Sequence, residues 1–201
     1  MTLTGLLLIA AALILSAYNI WENHQSGAYS EQVLQEIMDT MDSSEGFSEA
    51  DTQTGGEQED TPDVEIDPDA EMPSAEIDGH TYIGTLEVPT LALSLPVMSD
   101  WSDSNLKLAP CRYSGSVYSN DLIIAGHNYK KHFGGLHNLA VGDEVIFTDM
   151  AGNRFAYTVS QVEQLPGAAI EEMESGEWNL TIFTCTIGGK ARVTVRCVLG
   201  E

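Results

Sequence analysis

Three residues of this chain have the types and the placement needed for acyl transfer. Cys185 closes the run Thr181-Ile182-Phe183-Thr184-Cys185, whose β-branched and aromatic residues favour a strand. His127 follows a second such run, Leu122-Ile123-Ile124-Ala125-Gly126, and Arg192 opens a third, Arg192-Val193-Thr194-Val195-Arg196-Cys197-Val198. A thiolate can attack an amide carbonyl to give a thioester, and an imidazolium can protonate the leaving amine. The same ring, once neutral, takes a proton from the next nucleophile. A guanidinium stays charged throughout and can steady the oxyanion or hold the substrate backbone. At ordinary pKa values of about 8.5 and 6.5, a thiol and an imidazole both hold their charged forms in about one molecule in a hundred near pH 7.5. Coupling between the two charges raises that fraction.

Elements must carry these groups, and the sequence from 80 to 201 supplies them. Short β-rich runs at 82–88, 91–97, 121–125, 144–149, 154–165, 180–184 and 192–199 alternate with turn residues. Gly-Asp at 142–143 and Ala-Gly-Asn at 151–153 are turn signals, the second for a hairpin. This texture predicts a mainly β domain, a closed barrel or sandwich of seven or eight strands with little helix.

The chain before residue 80 differs. Residues 1–21 are mostly apolar, and a helix over 3–20 is roughly 27 Å long against a hydrocarbon core of ~30 Å. Tyr18 and Trp21 suit the membrane interface. The rival, a cleaved signal peptide, lacks a basic start and a good cleavage site. The expectation is an uncleaved transmembrane anchor with the long acidic part exported. Residues 22–79 read as an acidic, largely disordered linker that extends by self-repulsion. Within it, Val33, Leu34, Ile37, Met38 and Met41 form a helical stripe over 30–41, either a juxtamembrane helix or a transient one with no partner. On this reading, removing residues 1–79 leaves a soluble, active domain.

Charge excludes one class of function. The chain carries 8 Lys+Arg against 31 Asp+Glu, formally −23, and Lys107 is its first basic residue. Nucleic-acid binding needs a positive face, which is absent. The 3 cysteines make no disulfide framework and no zinc knuckle. Cys111 and Cys197 are either a pair or two buried thiols.

The motifs together resemble the sortase family. Thr181-Ile182-Phe183-Thr184-Cys185 is similar to its Thr-Leu-x-Thr-Cys motif, with Ile for Leu. Ala125-Gly126-His127-Asn128, with His132-Phe133-Gly134-Gly135-Leu136, is similar to its Gly-His segment. Lys190-Ala191-Arg192-Val193 resembles the strand that carries its arginine, and Tyr82–Pro89 its first barrel strand. The resemblance covers roughly residues 80–201 and implies an eight-stranded β-barrel with short helices. It implies a cysteine transpeptidase, membrane-anchored with its catalytic domain outside the cell. Such an enzyme cuts a Leu-Pro-x-Thr-Gly-type sorting signal on a surface protein through a thioester. It then transfers the product to an amine of the Gram-positive cell wall or of a pilin. By position Cys185 is the nucleophile, His127 the acid/base and Arg192 the third group. Arg196 lies on the same face but is expected in an ion pair or at a solvated edge.

Thr184 and Asn128 are candidate substrate contacts. His132 and His137 fit no catalytic spacing. The strand at 91–97 and the segment 166–177 are expected to border the substrate cleft. Glu171, Glu172, Glu174 and Glu177 read as a solvated loop, with attraction of a basic substrate flank or a Ca²⁺ site as alternatives. No cofactor is expected to be required. The Gly-His-Asn-Tyr segment and the short Cys-to-Arg spacing lean toward class B or D, and no lid motif of pilin-polymerising enzymes is evident. Two other readings stand beside the transpeptidase: a hydrolytic thiol protease using the same pair, and a non-catalytic tethered domain binding a metal through His127, His132 or His137.

Overall fold

Alternation along each strand separates an inner from an outer face, and the separation is sharp at the strands that carry the candidate residues. Leu122 and Ile124 point into the main core with Leu180, Ile182, Val193 and Val195. Ile123, Ala125 and Phe183 point the other way, into a second small core. The computed structural model describes residues 2–45 and 67–200. Its strands are β1 (Ala75–Ile77), β2 (His80–Val88), β3 (Leu93–Met98), β4 (Cys111–Ser114), β5 (Leu122–Gly126), β6 (Glu144–Asp149), β7 (Arg154–Pro166), β8 (Leu180–Cys185) and β9 (Ala191–Leu199). Two α-helices, α1 (Thr2–Glu45) and α2 (Ile170–Glu174), and three short 3-10 turns complete it.

The strands pair in the order β2-β3-β4-β5-β8-β9-β7-β6, and β6 returns to β2 to close an eight-stranded barrel. Closure leaves the barrel without a free edge. The pairs β3–β4 and β5–β8 are parallel; the others are antiparallel. Leu86, Val97, Phe147, Tyr157 and Ile182 fill the interior. The β5–β6 connection plugs one end with Phe133 and Leu136, both fully buried.

Two strands escape a sequence reading. β4 is four residues long, and only Cys111 of it is buried. β1 pairs with β2 outside the barrel seam, through a tight turn at Asp78-Gly79, where φ is 51° and 75°. Two left-handed residues in succession mark the hairpin turn that Asp-Gly favours. The ordered domain therefore starts before residue 80, with Met72 and Ile77 already buried.

The N-terminal part departs further from expectation. One helix runs Thr2–Glu45 where a membrane segment to 21 and a separate short helix at 30–41 were expected. Ser26, Ser30, Val33 and Ile37 fall on one helical face and are all buried. Val33 and Ile37 pack with Ile77, Tyr82, Met98, Ala109 and Cys111 of the barrel wall. The stripe at 30–41 thus has a partner, and that partner is the barrel. Residues 46–66, most of the acidic stretch read as disordered, lie outside the described residues.

Among the described residues no helix is long and apolar enough to cross a membrane. Apolar side chains line most of the helix between 5 and 21. They are nonetheless exposed, from Leu6 at 71% to Trp21 at 56%.

Candidate active site

The register of three neighbouring strands assembles the site. β5 and β8 run parallel with Gly126 opposite Thr184, so the next residues, His127 and Cys185, leave their strands at the same level. β8 and β9 run antiparallel with Cys185 directly opposite Arg192. Directly opposed residues share a face, and Cys185 follows Phe183 and Thr181 on the outer one. His127 follows Ile123 and Ala125 in the same alternation. The three candidates therefore sit together at one end of β5, β8 and β9, on the outside of the wall. Cys185 is exposed and a free thiol, whereas Cys111 and Cys197 are free and buried in different cores. Burial pushes both buried thiols up to about 12, which keeps them protonated and inert.

Arg192 lies over the ring of Phe183, its guanidinium carbon 5.7 Å from the ring centroid. It donates a hydrogen bond to the carbonyl of Gly167, just past β7. A guanidinium has five N–H donors, so this contact fixes the fork while leaving capacity for an oxyanion. Arg196 sits two steps further on the same face but is 2% exposed. Its Nε pairs with Glu163 at 3.1 Å, and its other nitrogens donate to Thr181 Oγ1 and to the carbonyls of Glu172 and Met173. It ties α2 to the sheet: the ion pair is present and the solvated edge is not.

Behind Arg192 the outer face carries aromatic rings that the sequence did not single out. Tyr113 meets Phe183 edge-on at 5.5 Å, and Trp101 stacks on Tyr113 at 5.8 Å with half its surface exposed. The Tyr113 hydroxyl is pushed up by burial, then by the charge and hydrogen bond of Glu174. Trp101 lies in no periodic run, so nothing in the sequence pointed to it.

Thr184 is 3% exposed and, by alternation, on the inner face, opposite to the face that carries the Cys185 thiol. Its hydroxyl is buried without a hydrogen-bond partner. Around the strand end, Thr184, Asn128, Gly134, His137 and Ile187 still line a cavity of about 260 Å³ together with Cys185. Asn128, Gly134 and His137 also border a neighbouring cavity of about 420 Å³, which Leu91 and Leu93 help to line. Ile187, 95% exposed in the β8–β9 turn, is a second residue no pattern revealed. Of the expected cleft borders, Gly167 and Met173 of the 166–177 segment lie on the Arg192 side, and Leu91 and Leu93 on the Asn128 side.

The three histidines do not form a metal site. His132 is fully buried, with Nε2 2.8 Å from Ser26 Oγ and 3.4 Å from Ser30 Oγ. Among the described residues no group of three or more His, Cys, Asp or Glu could hold a metal ion. Glu171, Glu172, Glu174 and Glu177 are exposed along α2 and the loop after it.

A closed eight-stranded barrel with Cys, His and Arg at one end of its wall is the architecture expected of sortases, and comparison with known proteins agrees. The sortase domain model matches residues 86–200. Sortase A of Bacillus anthracis is 28% identical over 122 residues, 58% of this chain. The chain spans 58% of the length of that relative. Sortase C1 of Streptococcus agalactiae superposes with a TM-score of 0.55 at 19% identity, over 83% of this chain and 89% of that one. Sortase A of Listeria monocytogenes gives 0.51 at 20% identity, over 60% and 88%. A Clostridium perfringens sortase D5 gives 0.52 at 19%, over 60% and 79%. This chain belongs to the sortase family. Its relatives are named as A, C and D types, so the likeness fixes the family and not the class.

Proposed function

We propose that this protein is a membrane-anchored cysteine transpeptidase that cleaves a Leu-Pro-x-Thr-Gly-type sorting signal and passes the cleaved protein to a cell-wall amine. The observation that carries the reading is the register of β5, β8 and β9, which places His127, Cys185 and Arg192 at one end of the wall. In the reaction the Cys185 thiolate adds to the Thr carbonyl carbon, and Arg192 stabilises the oxygen that gains charge. Collapse breaks the C–N bond, and the leaving amine takes its proton from the His127 imidazolium. The product is a thioester. An incoming amine then adds to the same carbonyl, gives its proton to His127, and expels the thiolate. Asn128 borders the site as a substrate contact, and Thr184 lines the adjoining cavity at the strand end. The rings of Trp101 and Tyr113, backed by Phe183, offer an apolar bed for the Leu-Pro pair.

Anchoring rests on the exposed apolar run between Leu6 and Trp21, which water would not tolerate in such quantity. No Lys or Arg flanks it; the long acidic part is taken to lie outside the cell. Surface proteins bearing the sorting signal are the donors, and attachment to the wall is favoured over pilus assembly.

Intact mass spectrometry of the full chain with Leu-Pro-x-Thr-Gly-type peptides and triglycine tests the reaction. A Cys185-linked acyl adduct that triglycine converts into a longer peptide is the expected result. Release of acid alone, with triglycine ignored, would replace the transferase by a thiol hydrolase. For the anchor, full chain that remains with membranes after alkaline carbonate washing supports it, and full chain in the supernatant removes it.

A further inference from the structure

We infer that α1 positions the His127 ring through His132, which makes His132 a positioning residue for the reaction. This rests on the catalytic reading of His127 given above.

The contact begins on α1. Ser26 Oγ donates to the carbonyl of Lys107 at 2.7 Å, and Ser30 Oγ donates to that of Leu108 at 3.0 Å. Each hydroxyl has a single proton, and in each it is committed to a carbonyl. Both oxygens therefore face His132 Nε2 as acceptors, at 2.8 and 3.4 Å. His132 is accordingly the neutral Nε2–H tautomer, donating to the helix, with Nδ1 buried and without a partner. The ring is fully buried, and with its only N–H spent on α1 it has one orientation.

From that ring the contact passes along the β5–β6 connection. The His132 ring centroid lies 5.5 Å from that of Tyr129, and Tyr129 lies 4.9 Å from His127. The backbone closes over the same residues. The N–H groups of His132 and Gly134 both bond the Tyr129 carbonyl at 3.0 Å, and Phe133 N–H bonds the His127 carbonyl at 3.1 Å. Phe133 plugs the barrel on one side of this loop and α1 bounds it on the other. The approach of α1 is close: a Cβ on Gly27 would stand 2.9 Å from Lys131 Cγ. Glu31 pairs with Lys131 at 3.0 Å on the rim. Without the helix, the His132 N–H loses its acceptors, and the row of tilted rings that ends in His127 loses its outer support.

The test uses the full chain in lipid nanodiscs with Ser26→Ala, His132→Phe and His132→Gln. Two quantities are read: kcat and KM for transpeptidation of the donor peptide, and the rate of Cys185 carbamidomethylation against pH, which reports the Cys–His pair without turnover. Ser26→Ala and His132→Phe should lower kcat about tenfold, leave KM within twofold, and move the alkylation profile. His132→Gln, whose amide can still donate to Ser26, should restore most of both. Ser26→Ala is the variant least able to disturb folding, and near-UV circular dichroism checks it. A folded Ser26→Ala protein with unchanged kcat and an unchanged alkylation profile overturns the inference. If the parent forms no acyl-enzyme yet its profile moves in the variants, the transpeptidase reading fails and the coupling stands.

Discussion

At the scale of single residues, the chemistry separates two arginines that the sequence places alike. Arg192 and Arg196 share a face by the period of two, and this much is legible without a structure. Their roles diverge because α2 folds back over the sheet and closes on Arg196 alone, a tertiary event no local pattern encodes. The two should fail differently. Arg192→Lys keeps the charge but loses the planar fork, and we expect transpeptidation kcat/KM to fall by roughly a hundredfold with little change in melting temperature. Arg196→Ala removes the buried partner of Glu163 and takes a donor from the carbonyls of Glu172 and Met173, of which Glu172 keeps the Ser175 hydroxyl. It should cost about 3 kcal/mol of stability, read as a lower urea midpoint, before any specific effect on chemistry appears. Cys185→Ala should remove the acyl adduct and leave stability in urea within about 0.5 kcal/mol, since the residue is exposed.

At the scale of elements, alternating apolar residues made seven of the barrel strands readable, because each buries one face and solvates or covers the other. β4 and β1 were not readable: runs of four and three residues carry too little alternation, although Asp78-Gly79 was a hairpin signal for the second. α1 hid for another reason. Its docking face begins with Ser26, Gly27 and Ser30, small residues that look like linker in composition yet allow a backbone to approach closely. Only the stripe of Val33, Leu34, Ile37, Met38 and Met41 announced a face, and nothing local named what would cover it. The expectation that residues 1–79 are dispensable meets a packing cost, since removing them uncovers Tyr82, Met98 and Cys111 and strips Met72 and Ile77 from the domain. Ile37→Asp in the full chain should therefore loosen α1, seen as faster amide exchange over 26–41 and over 127–134.

Acid should loosen the same contact. Burial, and then the charge of His127, lowers the His132 pKa to about 4 from the ordinary 6.5. The docked form holds the neutral ring, while an undocked, hydrated ring takes up a proton below 6.5. Stability of the docked helix is thus fully present above about pH 6.5 and is lost as pH falls toward 4, by on the order of 3 kcal/mol in all. The groups around the ring are Tyr129 and His127 on its own loop and the Ser26 and Ser30 hydroxyls on α1, with Glu31 and Lys131 paired at the rim. Amide exchange over 26–41 followed from pH 7 to pH 5 checks this; His132→Gln should flatten the response.

At the scale of the whole molecule, the charge of −23 argues against nucleic acid as a partner but says nothing about where the barrel sits. Composition favours a barrel on a long acidic leash, because composition cannot report that both ends of the leash are held by the barrel. They are: α1 reaches the barrel wall at Ser26, before the acidic stretch begins in earnest, and the chain re-enters the domain at Met72.

On the anchoring proposed above, a barrel clasped to the helix that also holds the bilayer has a compass bearing as well as a height. Each residue of helix turns the rigid unit by 100° and raises it by 1.5 Å. Two alanines inserted just before Gln25 would lift the Cys185 end by only about 3 Å but swing it through about 200°, from one side of the stalk to the other. Four alanines would lift it by about 6 Å and bring it back to within about 40° of its first direction. Activity on membrane-held donors should follow the angle and not the height, falling with two and returning with four, while soluble peptides are processed equally by both.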